Sequence, residues 1–512
     1  MAQTVQRLGH YAAMAKDGWR IRHGRTDDVQ SRARKHLAER MGRLRGLPQK
    51  LGQMISFSSG DAESTQDYAA LQENAEPLPL STVRPILESE WGRPVDQVVQ
   101  EIAAGANAAS LGQVHRATLN DGREVAVKVQ YPGIREAIQL DLKMLGWLSL
   151  PVGNLRRGFD LAGYADVILN DIDKELNYAQ EAEFQRAFSS WAQEDSFLAV
   201  PNVVDELSTS KVLVTEWQEG DHWNEVQTAW TEQEKNELGG ALVRFFHEGL
   251  FQRALLHADW HPGNLRFRRS DTGVELLLYD FGCVYRPSDE ERLTLLRLIR
   301  ATHQEDEPPY PLFAKLGFQE DYLEPLASKL PALCKVLFEP YAVEYPYNLD
   351  DWRLGERFSD ILGDDRWNFR IAGPPSLIFL LRAFHGLLFY TSGLEARVPW
   401  NRVVRPLFKR FAEDMRGLQL PAINDATNDF GSLAKHLKIR VVDDGRTKVQ
   451  LTHRASAIDN LDDLLDEPLK KRIDDQGINL SEVVASVRRG GYRPGNVFDL
   501  DDDKKQILVW LE

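Results

Sequence analysis

Apolar and polar positions alternate along this chain in four successive stretches of differing texture. From Val29 to Phe57 the spacing is helical, broken near Gly46-Leu47-Pro48, and a second helical run surrounds Tyr68 to Glu73. Leu80 to Trp91 predicts a further helix with Ser81 as its cap. Period-two alternation then takes over. Gln113 to Leu119 and Glu124 to Tyr131, joined through Asn120-Asp121-Gly122, predict a β-hairpin. Its second strand places Val125, Val127 and Val129 on one face and Ala126, Lys128 and Gln130 on the other. Helical spacing returns from Ile134 to Phe188, Lys211 to Thr215 reads as an apolar strand, and helices dominate from Glu232 to about Phe411. After Gly417 the texture changes again. Lys438 to Val442 and Lys448 to Thr452, about Asp443-Asp444-Gly445, predict a second hairpin, followed by a helix over Ala455 to Leu465 and a strand pair over Asn496 to Leu511.

Composition narrows the class. With 512 residues, 43% hydrophobic and 27% charged, the chain is globular and long enough for several domains. Cys283 and Cys334 have neither zinc nor disulfide spacing, which suits a reducing cytosol. A signal peptide is not expected, because Lys16, Arg20, Arg22 and Arg25 stand where an apolar core would lie. The best membrane candidate, Pro375 to Leu394, contains Arg382 and His385 and is expected to be a buried helix, with no transmembrane span. A net charge of -15 argues against nucleic-acid partners, yet residues 1–53 hold twelve Lys or Arg against four Asp or Glu. Two readings stand: peripheral contact with an anionic membrane, or a solvated helical face.

The chemistry lies downstream. Asp259 with Asn264 five positions on, then Tyr279-Asp280-Phe281-Gly282 at a strand end, is the layout of a phosphotransfer base and its metal ligands. Two short strands fit between them, Leu276 to Tyr279 being the second. Lys128 stands where a strand lysine holds the α and β phosphates, and Glu181 is the helix-borne carboxylate suited to fix it. Asp280 and Asn264 offer hard oxygens to Mg2+, and Asp259 would orient or deprotonate the acceptor; a turn or cap is the plainer role for that aspartate. His257 reads as a prop of the loop, and His261 as either structural or phosphate-facing. Over the phosphates, Gly105 to Gln113 is alanine-rich where a protein kinase has glycines, making Ala108, Ala109, Ser110 and Gln113 the nucleotide-contacting candidates. Adenine should meet backbone at Glu216 to Gln218, just after the Lys211 to Thr215 strand. Helix signals resume at about Ser288, leaving no room for a peptide-docking platform. On a helix, Lys50 and Gln53 share one face.

Three motifs together carry a resemblance: Lys50-x-Gly52-Gln53, Ala108-Ala109-Ser110-Leu111-Gly112-Gln113-Val114-His115, and His257-x-Asp259-x-His261-Pro262-Gly263-Asn264. Over about residues 40 to 400 the chain resembles the UbiB, or AarF-domain, family of atypical kinases. The resemblance implies an α+β, two-lobed, protein-kinase-like fold with an N-terminal helical extension across the active site. It divides the chain into a basic helical region (1–45), an N-lobe with the Lys-x-Gly-Gln element (46–215), a helical C-lobe with the catalytic loop (216–415) and a small α+β accessory module (416–512). It also implies that Lys50 and Gln53 gate the site, with Lys50 pairing to Glu175. Asn177 stands where the family has Asp, and the module after Gly417 where some relatives have a transmembrane hairpin.

The function so implied is that of an ATP-binding, Mg2+-dependent ATPase or a small-molecule or lipid-directed kinase linked to ubiquinone-type isoprenoid metabolism. Its partners would be a nucleotide and a lipid or lipid-synthesis enzymes. A nucleotide-gated lipid-binding or scaffold protein with little turnover is the alternative, and a protein kinase acting in trans ranks below both.

Overall fold

The Val125-Val127-Val129 alternation builds the centre of the first sheet, because each valine adds a β-branched side chain to one apolar face and none is more than 1% exposed. The computed structural model describes residues 77–109, 111–139, 172, 174–271, 273–422, 428–443, 446–502 and 505–512. Lys50, Gln53, Ser110, the basic N-terminal region and the helical runs expected before Leu80 lie outside the described residues. Contacts divide the chain into two compact units. One holds the described residues up to Phe246 with Leu255–Arg286 and Pro375–Ala396; the other holds His247–Ala254, Pro287–Pro374 and Arg397–Glu512.

In the first unit the strands are β1 (Val99–Ile102), β2 (Asn107–Ala108), β3 (Gly112–Leu119), β4 (Glu124–Gln130), β5 (Leu198–Ala199) and β6 (Val212–Glu216). They are followed by β7 (Leu256–His257), β8 (Leu265–Ser270), β9 (Gly273–Leu278) and β10 (Val284–Tyr285). The main sheet runs β1-β3-β4-β6 with β2 beside β3, all antiparallel. Its expected hairpin is β3–β4, and Gly122 turns it at φ +89°, where a side chain would be strained. Helix α1 (Leu80–Trp91) lays Val83 and Leu87 on the valine face. Ser81 does not cap that helix. Pro79 is the N-cap residue, and its extended backbone at φ -66° and ψ 150° sets the entry with no side-chain hydrogen bond.

Of the helical stretch expected from Ile134 to Phe188, residues 140–171 and 173 lie outside the described residues, and the described part is interrupted. Asn177 is non-helical at φ -124° and ψ 88°, and helix α2 (Tyr178–Ala192) begins after it. Tyr178 and Ala182 pack with Leu213 of β6, so the first turn of α2 lies against the sheet. Strands β8 and β9 pair antiparallel, β5 joins β9 in parallel, and β7 pairs with β10. The apolar Pro375 to Leu394 stretch forms the helix Leu377–Gly393 in this same unit. Among the described residues no helix is long and apolar enough to cross a membrane.

The second unit carries the helix Asp289–Gln304, started by the Ser288 hydroxyl, which accepts from the Glu291 amide (3.1 Å). Farther on, β11 (His436–Asp443), β12 (Arg446–Arg454), β13 (Gly495–Asp502) and β14 (Lys505–Leu511) form an antiparallel sheet of order β12-β11-β14-β13. Leu437, Ile439, Val441, Ile507 and Val509 bury one face of it. The helix expected over Ala455 to Leu465 is instead two short 3-10 helices within Ala455–Leu464, broken at Asn460 (φ -118°, ψ 37°), and two α-helices, Glu467–Asp475 and Leu480–Arg489, follow. A buried charge cluster joins this module to the helices before it. Asp459 pairs with Arg357 (2.9 Å) and Arg488 (2.7 Å); Arg357 also meets Glu339 (2.7 Å), and Arg488 meets Glu356 (2.7 Å) and Asp360 (3.0 Å).

Candidate active site

Lys128 leaves β4 on the face opposite the valines, and its ammonium donates to Glu181 Oε1 (2.6 Å) and to Asp280 Oδ2 (2.8 Å). Three elements far apart in sequence therefore meet at one nitrogen. The lysine side chain is 14% exposed and that of Glu181 only 1%. Burial disfavours the charged lysine, but the Asp280 and Glu181 carboxylates outweigh it and hold its pKa well above the usual range. Burial also raises the Glu181 carboxyl, against the pull of Lys128. Ala109, Leu111, Glu175, Tyr178 and Gly282 complete a narrow cleft around these three side chains.

Asp280 is set by its own turn. The Gly282 amide donates to Asp280 Oδ1 (2.9 Å), and a Cβ on Gly282 would come within 3.1 Å of that oxygen and 3.3 Å of Glu175 Cγ. Strand pairing brings up the second candidate metal ligand. The Tyr279 amide donates to the Asn264 carbonyl (3.0 Å), so the end of β9 lies beside the start of β8. Asn264 Nδ2 donates to the Asp259 carbonyl (3.2 Å), which leaves its side-chain oxygen for a cation. An aspartate carboxylate and an amide oxygen fit Mg2+, a hard ion that keeps waters and substrate phosphates in its shell. Among the described residues no three His, Cys, Asp or Glu gather into a protein-only metal cage.

His257 is a prop. Its Nδ1 accepts from the Asp259 amide (3.3 Å), so Nε2 carries the proton it donates to the Asp280 carbonyl (2.6 Å). Burial pushes its pKa down. The unfolded chain takes up a proton near pH 6.5 that the folded chain refuses, so this contribution to stability is present above that pH and lost as pH falls below it. Wild type should lose stability on acidification below about pH 6.5 by up to roughly 1.4 kcal/mol per pH unit, and His257→Gln should flatten that slope in urea unfolding measured from pH 5 to 8. His261 Nδ1 accepts from the Gly263 amide (3.0 Å), which shapes the following turn.

The structure separates other candidates from this group. Gln113 is 1% exposed and fully occupied: its Oε1 accepts from the Leu78 amide (2.6 Å), and its Nε2 donates to the Leu78 carbonyl (2.9 Å) and to His115 (2.8 Å). It ties the chain entering α1 to β3 rather than facing the cleft. Of the alanine-rich loop, Ala109 lines the cleft and Ala108 lies in β2. Glu216 ends β6 with its carboxylate accepting from Asn202 Nδ2 (2.9 Å), and the Gln218 carbonyl accepts from the Tyr279 hydroxyl (2.8 Å). That bond links the expected adenine-binding segment to the residue before Asp280. Asn177 carries no side-chain cap bond and precedes the turn that presents Glu181.

One residue of this site escaped the motifs. Arg382, 4% exposed in the helix Leu377–Gly393, reaches Asp259 Oδ1 (3.1 Å) and donates to Cys283 Sγ (3.4 Å). One turn on, a Cβ at Gly386 would stand 2.2 Å from Trp260 Cβ, so the bare backbone lets the helix close on the Asp259 loop. The signal was present as a charge inside an apolar stretch, a placement that usually means a buried partner.

Comparison with known proteins agrees with this layout. The family profile of the ABC1 atypical kinase-like domain matches residues 70–309. AarF domain-containing protein kinase 1 of Xenopus laevis is 30% identical over 265 residues, 51% of each chain, so the match spans about half of that relative's length. Atypical kinase COQ8B, mitochondrial, of Rattus norvegicus is 27% identical over 390 residues, covering 74% of this chain and 72% of that protein. The solved complex of Rv3197 with erythromycin from Mycobacterium tuberculosis is similar in structure at a TM-score of 0.50 and 25% identity, covering 74% of this chain and 96% of that one. The fold is α+β and kinase-like, and residues 70–309 match the ABC1 atypical kinase-like domain, in which the chain is similar to AarF-domain proteins.

Proposed function

We propose that this protein is a magnesium-dependent ATPase or a kinase directed at a small molecule or lipid, acting in isoprenoid-lipid metabolism of the ubiquinone type. The observation that carries the reading is the Lys128 ammonium shared by Glu181 and Asp280, with Asp259 and Asn264 joined to the same turn by hydrogen bonds. Lys128 would hold the α and β phosphates, with Glu181 fixing its position. Asp280 and Asn264 would hold Mg2+, which supplies neutralisation of phosphate charge. Asp259, clamped by Arg382, would orient a water or a lipid-like hydroxyl as acceptor. Lys50, Gln53 and Glu175 are assigned the gate by resemblance, and the basic residues before position 54 are assigned contact with an anionic membrane of a cytoplasmic compartment.

The test is Mg-ATP binding and turnover by purified protein, with and without anionic liposomes. Phosphate release with no protein acceptor, raised by liposomes and less so at high salt, is the expected result. Failure to bind Mg-ATP would overturn the reading, and labelled phosphate on a partner protein would replace it with a protein kinase. The non-catalytic alternative, a nucleotide-gated lipid-binding or scaffold protein, is favoured by Asn177, which lacks the charge the family places there; tight ATP binding without turnover would establish it. Arg382→Lys keeps the charge but loses the planar fork, so turnover should fall roughly tenfold while Mg-ATP affinity stays within about threefold. Unchanged turnover would remove Arg382 from the site.

A further inference from the structure

We infer that Tyr178 is a phosphate-contacting residue of the nucleotide site, doing with a hydroxyl part of what a glycine-rich loop does elsewhere with backbone. The inference rests on the nucleotide-binding reading. Tyr178 is 1% exposed, its oxygen has no hydrogen-bond partner among the described residues, and it lines the same cleft as Lys128, Glu181 and Asp280. Burying a hydroxyl with nothing to bond costs stability, and phenylalanine would fill the space without that cost. The ring already has its work: Lys128 Nζ lies 5.0 Å from its centroid, and it packs with Ala182 and Leu213. Only the hydroxyl lacks a task.

Its surroundings show what the task is. A Cβ on Gly112 would come 2.3 Å from the Val129 carbonyl oxygen and 2.5 Å from the Tyr178 oxygen, so the glycine at the end of the alanine-rich loop makes room for both the β4 backbone and the hydroxyl. Among the described residues of the alanine-rich loop, Ala109 and Leu111 line the cleft beside it. Burial raises the phenol far above its ordinary pKa, so it stays protonated and able to donate. A phenol donor beside an ammonium suits phosphate oxygens, and the carboxylates nearby suit a phosphate that arrives with its magnesium.

The experiment measures Mg-ATP and adenosine binding by calorimetry for the full chain and for Tyr178→Phe, with melting temperatures for both. Tyr178→Phe should melt at or above the wild-type temperature, bind adenosine within about twofold of wild type, and bind Mg-ATP about tenfold more weakly. Unchanged Mg-ATP affinity would overturn the inference and leave the nucleotide reading standing. Equal losses for ATP and adenosine would overturn it too, by assigning the hydroxyl to packing. A wild type that binds no Mg-ATP would overturn both.

Discussion

Asp280→Asn should lower Mg-ATP turnover at least about 1000-fold while leaving the fold intact, because a metal-held phosphate clamp is worth several kcal/mol at about 1.4 kcal/mol per decade. The aspartate side chain meets the Lys128 ammonium on one oxygen and the Gly282 amide on the other. Asparagine can still accept from one of these donors, and Lys128 keeps Glu181 at 2.6 Å. The bond from His257 reaches the backbone carbonyl of residue 280 and survives the substitution. What disappears is the negative charge that a divalent ion needs. Turnover assays across a magnesium titration, with circular dichroism as the control for folding, check the expectation; wild-type rates in the variant would remove Asp280 from the metal role.

A second large effect belongs to the other unit and concerns stability. Asp459→Ala should reduce the unfolding free energy by about 3–5 kcal/mol, the usual cost of stranding buried cations. The Arg357 and Arg488 side chains are 4% and 2% exposed, and Asp459 is the carboxylate they share. The Tyr492 hydroxyl also donates to it, lying 2.9 and 3.0 Å from its two oxygens. The cluster has little to spare: Arg357 Nε and one terminal nitrogen of Arg488 already lack hydrogen-bond partners. Asp459→Asn keeps the shape and loses the charge, so its cost should be smaller, about 1–3 kcal/mol. Urea unfolding read by tryptophan fluorescence distinguishes the two; a shift below about 1 kcal/mol for Asp459→Ala would show that Glu339, Glu356 and Asp360 suffice.

The sequence made the β3–β4 hairpin legible because one face of β4 is all valine and the turn contains Asp-Gly. It also made legible which strand residue faces away from the core, and with it Lys128. Glu181 could be paired with that lysine because a kinase-type strand lysine calls for a helix-borne carboxylate, although the break at Asn177 that starts its helix was hidden by flanking residues compatible with helix. Arg382 announced a buried partner by standing as a charge in an apolar stretch, but not which partner, since its contact with Cys283 spans 99 positions. Gln113 was misplaced for the opposite reason: residue type suggested a ligand contact, whereas burial turned both ends of the amide toward the Leu78 backbone. The helices Glu467–Asp475 and Leu480–Arg489 bury Ile473 in one case and Val484 and Arg488 in the other, too few apolar positions to mark a stripe.

The shared carboxylate of Asp459 has a consequence for the order in which this protein can be made. Arg357 leaves the ribosome 102 residues before Asp459, which at about 5–20 residues per second is a wait of roughly 5–20 s. During that interval the helices around Arg357 carry a cation whose chief buried anion has not yet been synthesised. They can reach their final packing only after the module holding Asp459 has emerged, so a segment translated well after Arg357 decides when the second unit becomes stable.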